Sequence, residues 1–136
     1  MDALELANSL AVVRGRPVDT LKPSLGLHEL RDAVRGLFDA AVRGVDPPAG
    51  AVGLVNDLAT APSLDWGRRG PRLADEPVAA AVARSAIELV TGGRLEACAN
   101  PRCVRYHLGD GGRAYCSAGC ANRARVARHA ARDHEA

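Results

Sequence analysis

All four cysteines of this 136-residue chain fall in one short segment, Cys98, Cys103, Cys116 and Cys120, spaced C-x4-C-x12-C-x3-C. Two close pairs separated by a dozen residues suit a tetrahedral metal site, because each pair offers two thiolates from one tight local structure and the chain between folds back to join them. Asn100 and Pro101 lie inside the first pair and favour a turn, so "CANPRC" reads as a knuckle. The "GDGG" run at 109–112 is a reversal signal between "VRYHL" and "RAYC", which predicts a small β-hairpin there. Cys116 and Cys120 stand four apart and share a helix face. A helix starting near Ser117 would aim both at the metal, and its N-terminal dipole favours thiolates. Knuckle, hairpin and helix together make a treble-clef-like zinc finger. The alternatives are four cysteines packed as small apolar residues, two disulfides, or a redox pair. The last lacks C-x-x-C spacing, and disulfides do not suit the cytoplasmic location argued below. His107 is a fifth candidate ligand. Four thiolates already saturate a structural Zn²⁺ site, so His107 is read as a strand residue. Saturation also leaves no position for a catalytic water.

The composition shapes the rest. Apolar residues make up 47% of the chain, yet its aromatics are only Phe38, Trp66, Tyr106 and Tyr115. Alanine, valine and leucine must do the packing, which favours close helix contacts over a β-sandwich. The predicted class is α+β, mainly α-helical: a helical body with a small β-hairpin over residues 1–96, then the zinc finger and a basic C-terminal helix over 97–136. Within the body, Leu4, Leu6, Leu10 and Val13 predict a first helix from Asp2 to Val12, broken at Gly15 and Pro17. Apolar residues at 27, 30, 34, 37, 38, 41, 42 and 45 recur in steps of three and four and predict an amphipathic helix over 25–45, with Ser24 as its cap. Val52, Val55 and Leu58 predict a third helix over 51–61. "PSLDWGRRGPRL" reads as a β-hairpin with a polar turn. A further helix opens at Asp75 or Glu76, with Pro77 in its first turn and Val78, Val82, Ile87 and Leu89 apolar, and ends at Gly92–Gly93.

Charge is distributed unevenly. Residues 1–97 hold 11 Lys and Arg against 13 Asp and Glu, whereas residues 98–136 hold seven Arg against three acids. The basic excess therefore sits with the cysteines. Arg125, Arg128 and Arg132 fall on one helical face, with Arg123 off that stripe, and Val126, Ala127, Ala130 and Ala131 are left to face the body. Such a helix can lie along a phosphate backbone, releasing counterions. The bland reading is a solvated terminal helix from an arginine-rich, GC-rich genome. Tyr106 and Tyr115 are too few to stack single strands and are read as packing the hairpin, which tilts the partner toward double-stranded DNA. The leading function is a DNA-binding transcription regulator with Arg123, Arg125, Arg128 and Arg132 as candidate contacts. The alternative is a zinc-finger protein-interaction or dimerisation module. A homodimer fits the first, because one small finger offers few contacts. No nucleophile–base pair, paired carboxylates or phosphate loop points to an enzyme. Met1 is followed by Asp2 and Glu5 rather than a basic and apolar leader, and no apolar run approaches a membrane span, so a cytoplasmic protein without membrane contact is expected.

The stretch "CANPRC…YCSAGCANRARVARH" resembles the bacterial CGNR zinc-finger proteins, matching at Cys98, Asn100, Pro101, Cys103, Tyr115, Cys116, Ser117, Cys120, Asn122 and Arg123. "LELANSLAVVRGRPVDTL" and "VARSAIELV" are similar to the ABATE domain that precedes this finger in stress-induced transcription regulators. The resemblance implies an ABATE-like domain over 1–96, a CGNR-like finger over 97–136, a four-cysteine zinc site and DNA binding. Ala121 stands where the family has glycine, the second cysteine pair is one residue closer, and "YHLGDGG" is shortened. Asn122 is expected to bond a backbone group or a cysteine sulfur, Arg123 to brace the finger against the body, and Asn8 to bond backbone between elements.

Overall fold

The structure is a computed structural model that describes residues 1–110 and 112–135, with side chains through 133. Its described residues form five helices and three two-stranded antiparallel sheets. The first helix, α1 (Ala3–Ala7), is far shorter than the periodicity predicts. Asp2 caps it by accepting from the Glu5 N–H at 2.8 Å, and Glu5 accepts from the Asp2 N–H at 2.8 Å, a closed capping box. The chain then leaves the helix for a hairpin, β1 (Leu10–Val13) and β2 (Arg16–Asp19), in register Val13↔Arg16. Val12, Val13 and Val18 are β-branched and prefer a strand. Arg14 and Gly15 make the two-residue turn with φ of 51° and 75°, the primed geometry that matches strand twist.

Arg31 of helix α2 (His28–Arg43) fastens that hairpin. Its guanidinium donates to both Asp19 carboxylate oxygens, at 2.6 and 2.9 Å, and to Ser9 Oγ at 3.2 Å. The side-chain bonds from Arg31, joined by the Leu21 N–H, hold the Asp19 carboxyl well below the usual carboxylate range. Ser24 does not cap α2. It sits in a 3₁₀ turn, Pro23–Leu25, and the residue before the helix is Leu27. The periodicity over α2 translates into burial of Leu30, Val34 and Phe38, and Gly44 closes the helix at φ 65°.

In α3 (Ala51–Leu58) the inward residues are Ala51 and Val55, and the expected Val52 is 48% exposed. Hairpin β3 (Leu64–Gly67) and β4 (Gly70–Leu73) forms where "PSLDWGRRGPRL" predicts it. Helix α4 (Val78–Thr91) starts after Pro77 and buries Ala80, Val82, Ala83 and Ala86, while Val78 and Ile87 turn outward. Alanines let the helices approach closely, so one core forms around Phe38, Leu6, Val34, Val55 and Val82. Burial of these side chains, each worth roughly 1.5–3 kcal/mol when fully removed from water, is what holds α1 to α4 together.

The finger is stitched into this core. Strand β5 (Leu95–Ala97) pairs with β6 (Tyr106–Leu108), so the loop of this hairpin is the knuckle containing the first cysteine pair. This corrects the hairpin expected between "VRYHL" and "RAYC". Residues 112–117 carry no strand, and Gly111 of the expected reversal lies outside the described residues. Leu95, Glu96 and Ala97 complete β6 better because they precede the knuckle directly. Tyr106 is likewise not confined to a finger core. It is 6% exposed within the body core, with its ring edge-to-face on Phe38 at 5.3 Å. Helix α5 (Ala118–Glu135) closes the chain.

Candidate metal centre and basic helix

The knuckle and the start of α5 bring four sulfur atoms together. The Sγ atoms of Cys98, Cys103, Cys116 and Cys120 all lie within 4.8 Å of one another. Cys98 and Cys120 are 3.4 Å apart and Cys103 and Cys116 3.7 Å. Disulfides would need about 2.05 Å. A tetrahedron with Zn–S of about 2.3 Å has edges of roughly 3.8 Å, close to both separations. Cys98 and Cys120 are buried, and the other two are half-buried. The donor set, its compactness and its burial therefore fit a structural zinc ion. His107 stands apart from it: in β6, its Nε2 meets the Glu96 carboxylate at 3.1 Å and the Arg113 carbonyl at 3.0 Å.

Local sequence explains the convergence. Asn100 accepts from the Arg102 N–H at 3.1 Å and Cys103 N–H donates to the Asn100 carbonyl at 2.9 Å, closing the knuckle. The Asn100 amide also donates to Cys120 Sγ at 3.3 Å, and the Cys116 N–H to Cys98 Sγ at 3.3 Å. The sulfur contact expected of Asn122 thus belongs to Asn100, and Asn122 is exposed. Ser117 Oγ accepts from the Cys120 N–H at 3.0 Å, the pattern of a helix N-cap, and orients Cys120 inward. Burial pushes the Cys103 thiol up to about 12 and raises Cys116 as well. Burial acts upward on Cys120 too, yet donation from Asn100 and the neighbouring thiols brings it below its usual value. Cys103 and Cys116, kept protonated by burial, would be deprotonated on coordinating a dication.

Beyond the sulfurs, α5 shows two faces. Cys120 and Ala124 are buried, while Arg123, Arg125, Arg128 and Arg132 are all exposed. Val126, Ala127, Ala130 and Ala131, expected to face the body, are all exposed, and Ala124 takes that place. Arg128 donates to Tyr115 Oη at 3.0 Å, and His129 stands 3.7 Å from Asp133. Among the described residues, no carboxylate pairs with any of these four arginines. In the body, four of the ten arginines do meet a carboxylate: Arg31 meets Asp19, Arg43 meets Asp39, Arg72 meets Asp65 and Arg84 meets Glu76.

Two contacts between body and finger carry no strong sequence signal. Asn8, expected to bond backbone, accepts from the Tyr106 N–H at 2.8 Å and donates to its carbonyl at 2.9 Å, acting as a strand partner for β6. Arg35, which sequence reasoning missed, donates to the Ala7 and Val104 carbonyls, both at 2.7 Å, with its guanidinium 5.2 Å from the Tyr106 ring centre. It does the bracing expected of Arg123. An arginine within the polar stripe of α2 gives no hint of this, since only the folded chain brings carbonyls from both regions to it.

A four-cysteine cluster on a knuckle and helix start, joined to a small helical body, defines a zinc-finger protein. Comparison with family models places it further. One described as "Putative stress-induced transcription regulator", ABATE, matches residues 25–93, and the CGNR zinc finger matches residues 94–133. The chain belongs to the ABATE family and ends in a CGNR zinc finger. Neither is an enzyme family. The segment 4–21 that resembles ABATE lies ahead of the matched residues. No curated protein matches the chain. Among the described residues no helix is long and apolar enough to cross a membrane.

Proposed function

We propose that the protein is a DNA-binding transcription regulator in which Cys98, Cys103, Cys116 and Cys120 hold one structural Zn²⁺ and Arg125, Arg128 and Arg132 contact duplex phosphates. The zinc supplies no reaction; it clamps the knuckle to α5 in a module too small to build its own core. The observation that carries the reading is the set of four solvent-facing arginines on α5, a single helix, without carboxylate partners among the described residues. A positive helix rigidly mounted on a metal knuckle suits a phosphate backbone. Binding to random duplex DNA should fall steeply with salt, the slope flattening by about one unit for each phosphate contact removed. Arg128→Ala should flatten it; absence of binding at low salt would refute the reading.

A second reading rests on a different feature. Leu64, Trp66 and Leu73 are 70, 71 and 67% exposed on the β3–β4 hairpin, an apolar face that suits a partner protein or a second copy. Were the protein an interaction module docking through this hairpin, DNA binding at low salt would be absent and Trp66→Ser would weaken association.

A further inference from the structure

A cleft of about 150 Å³ lies between the β1–β2 turn and the finger, lined by Arg14, Arg102 and Arg123 with Val12, Asn100, Ala127 and two of the clustered cysteines, Cys103 and Cys120, among its walls. No carboxylate lines it. None of the three guanidiniums has a salt-bridge partner among the described residues. Three arginines from three separate segments, one from the body and two from the finger, thus line one small space.

Arg14 is held there at a conformational cost. It is the non-glycine residue with positive φ among those described, at 51°, in a turn whose two central positions favour Asn–Gly. An arginine in that place accepts local strain and holds its side chain beside the cleft. Arg123 is placed by helix geometry. Cys120, Arg123 and Ala127 share a face of α5, whereas Arg125 and Arg132 project to the other side. Arg123 Nη1 lies beside Gly119, where a Cβ would meet it at 3.4 Å, an ordinary contact distance.

We propose that Arg14, Arg102 and Arg123 form a site for a single phosphate group at the seam between the ABATE body and the zinc finger. Planar guanidiniums match phosphate oxygens in bidentate fashion, and three arginines lining one cleft without a carboxylate supply the chemistry such a group requires. A free phosphorylated small molecule and a DNA backbone phosphate share that chemistry. The position on the α5 face away from Arg125 and Arg132 favours the free molecule. An anion there would tie the hairpin turn to the finger, making it an effector of their arrangement.

The test uses the zinc-loaded full chain titrated with inorganic phosphate at constant ionic strength, followed by NMR at the Gly15 amide and the arginine Nε–H groups. Saturable shifts are expected at Gly15 and at all three arginines. Arg14→Asn should weaken binding by about tenfold or more, the loss of a charge-assisted contact, while its melting temperature stays level or rises because asparagine suits the turn. Arg102→Ala should weaken binding similarly. Unsaturable shifts, or binding indifferent to both substitutions, would overturn the site. So would an Arg14→Asn effect confined to zinc affinity, since the guanidiniums would then merely offset thiolate charge. Repeating the titration with duplex DNA present separates the sources: shifts that persist assign the site to a free molecule, and shifts that DNA abolishes, with weaker DNA binding by Arg14→Asn, assign it to the backbone. Phosphate binding does not depend on the DNA-binding reading, so each can fail alone.

Discussion

The body and the finger solve the same problem with different means. The body buries Phe38, Leu6, Val34, Val55 and Val82 in a shared apolar core and pairs Arg31, Arg43, Arg72 and Arg84 with carboxylates. Beyond Tyr106, the finger buries little apart from two cysteines, Asn100, His107 and Ala124, and it leaves the arginines of α5 to solvent. One region is stabilised by removing carbon from water, the other by gathering sulfur around a point. The difference frees the finger's surface for charge, because a metal-held module does not need an apolar helix face as wide as a core helix does.

The largest test of that contrast is metal removal. Structural zinc contributes apparent binding energies of about 10–16 kcal/mol in finger peptides. Chelation should therefore unfold residues from about Cys98 onward, seen as lost amide protection in α5, while α2 and α4 stay protected. Equal loss in both regions would erase the contrast. The converse is Phe38→Ala, expected to cost about 3–5 kcal/mol in denaturant unfolding because it opens the core under Tyr106. Zinc stoichiometry should be unchanged, and a variant that folds but loses zinc would show that the finger borrows its shape from the core.

The seam between the regions offers a smaller effect. Asn8→Ala removes both bonds to the Tyr106 backbone and should cost about 1–3 kcal/mol, with faster exchange at the Tyr106 amide. Unchanged exchange would mean that Arg35 alone holds the seam. The smallest effect is a pH dependence. Asp19 has a folded pKa depressed by Arg31, so its contribution is present above the unfolded value near 4 and disappears as pH falls below it. Wild type should exceed Asp19→Asn in stability at pH 7, with the gap closing through pH 4 and below. A gap independent of pH would rule out the ion pair as its source.

What the residues revealed in advance follows from how local each signal is. The helix over α2 and the hairpin at "LDWGRRGPRL" depend on near neighbours, and periodicity and turn chemistry expose them. The cysteine spacing exposed the cluster for the same reason. The β1–β2 hairpin was hidden because Leu4, Leu6, Leu10 and Val13 mimic a helical stripe, while its turn uses Arg14–Gly15 in place of the usual Asn–Gly. Val12-Val13 followed by a two-residue turn ending in glycine was the signal available. The partner of β6 was hidden more deeply. Nothing near Tyr106 says that Leu95–Ala97 will pair with it, or that Asn8, far away in sequence, will complete its edge. Alanine misled as well: in α4 Ala80, Ala83 and Ala86 share the inward face with Val82 while Val78 and Ile87 turn outward, and in α5 only Ala124 among the alanines is buried.

The claim on which the finger depends is most directly tested by measuring metal content and X-ray absorption at the zinc edge on protein purified without added metal. One zinc per chain, with four sulfur neighbours at about 2.3 Å, is the expected result. Protein that is folded through residue 133 with no zinc, or with nitrogen or oxygen replacing two of the sulfurs, would contradict it.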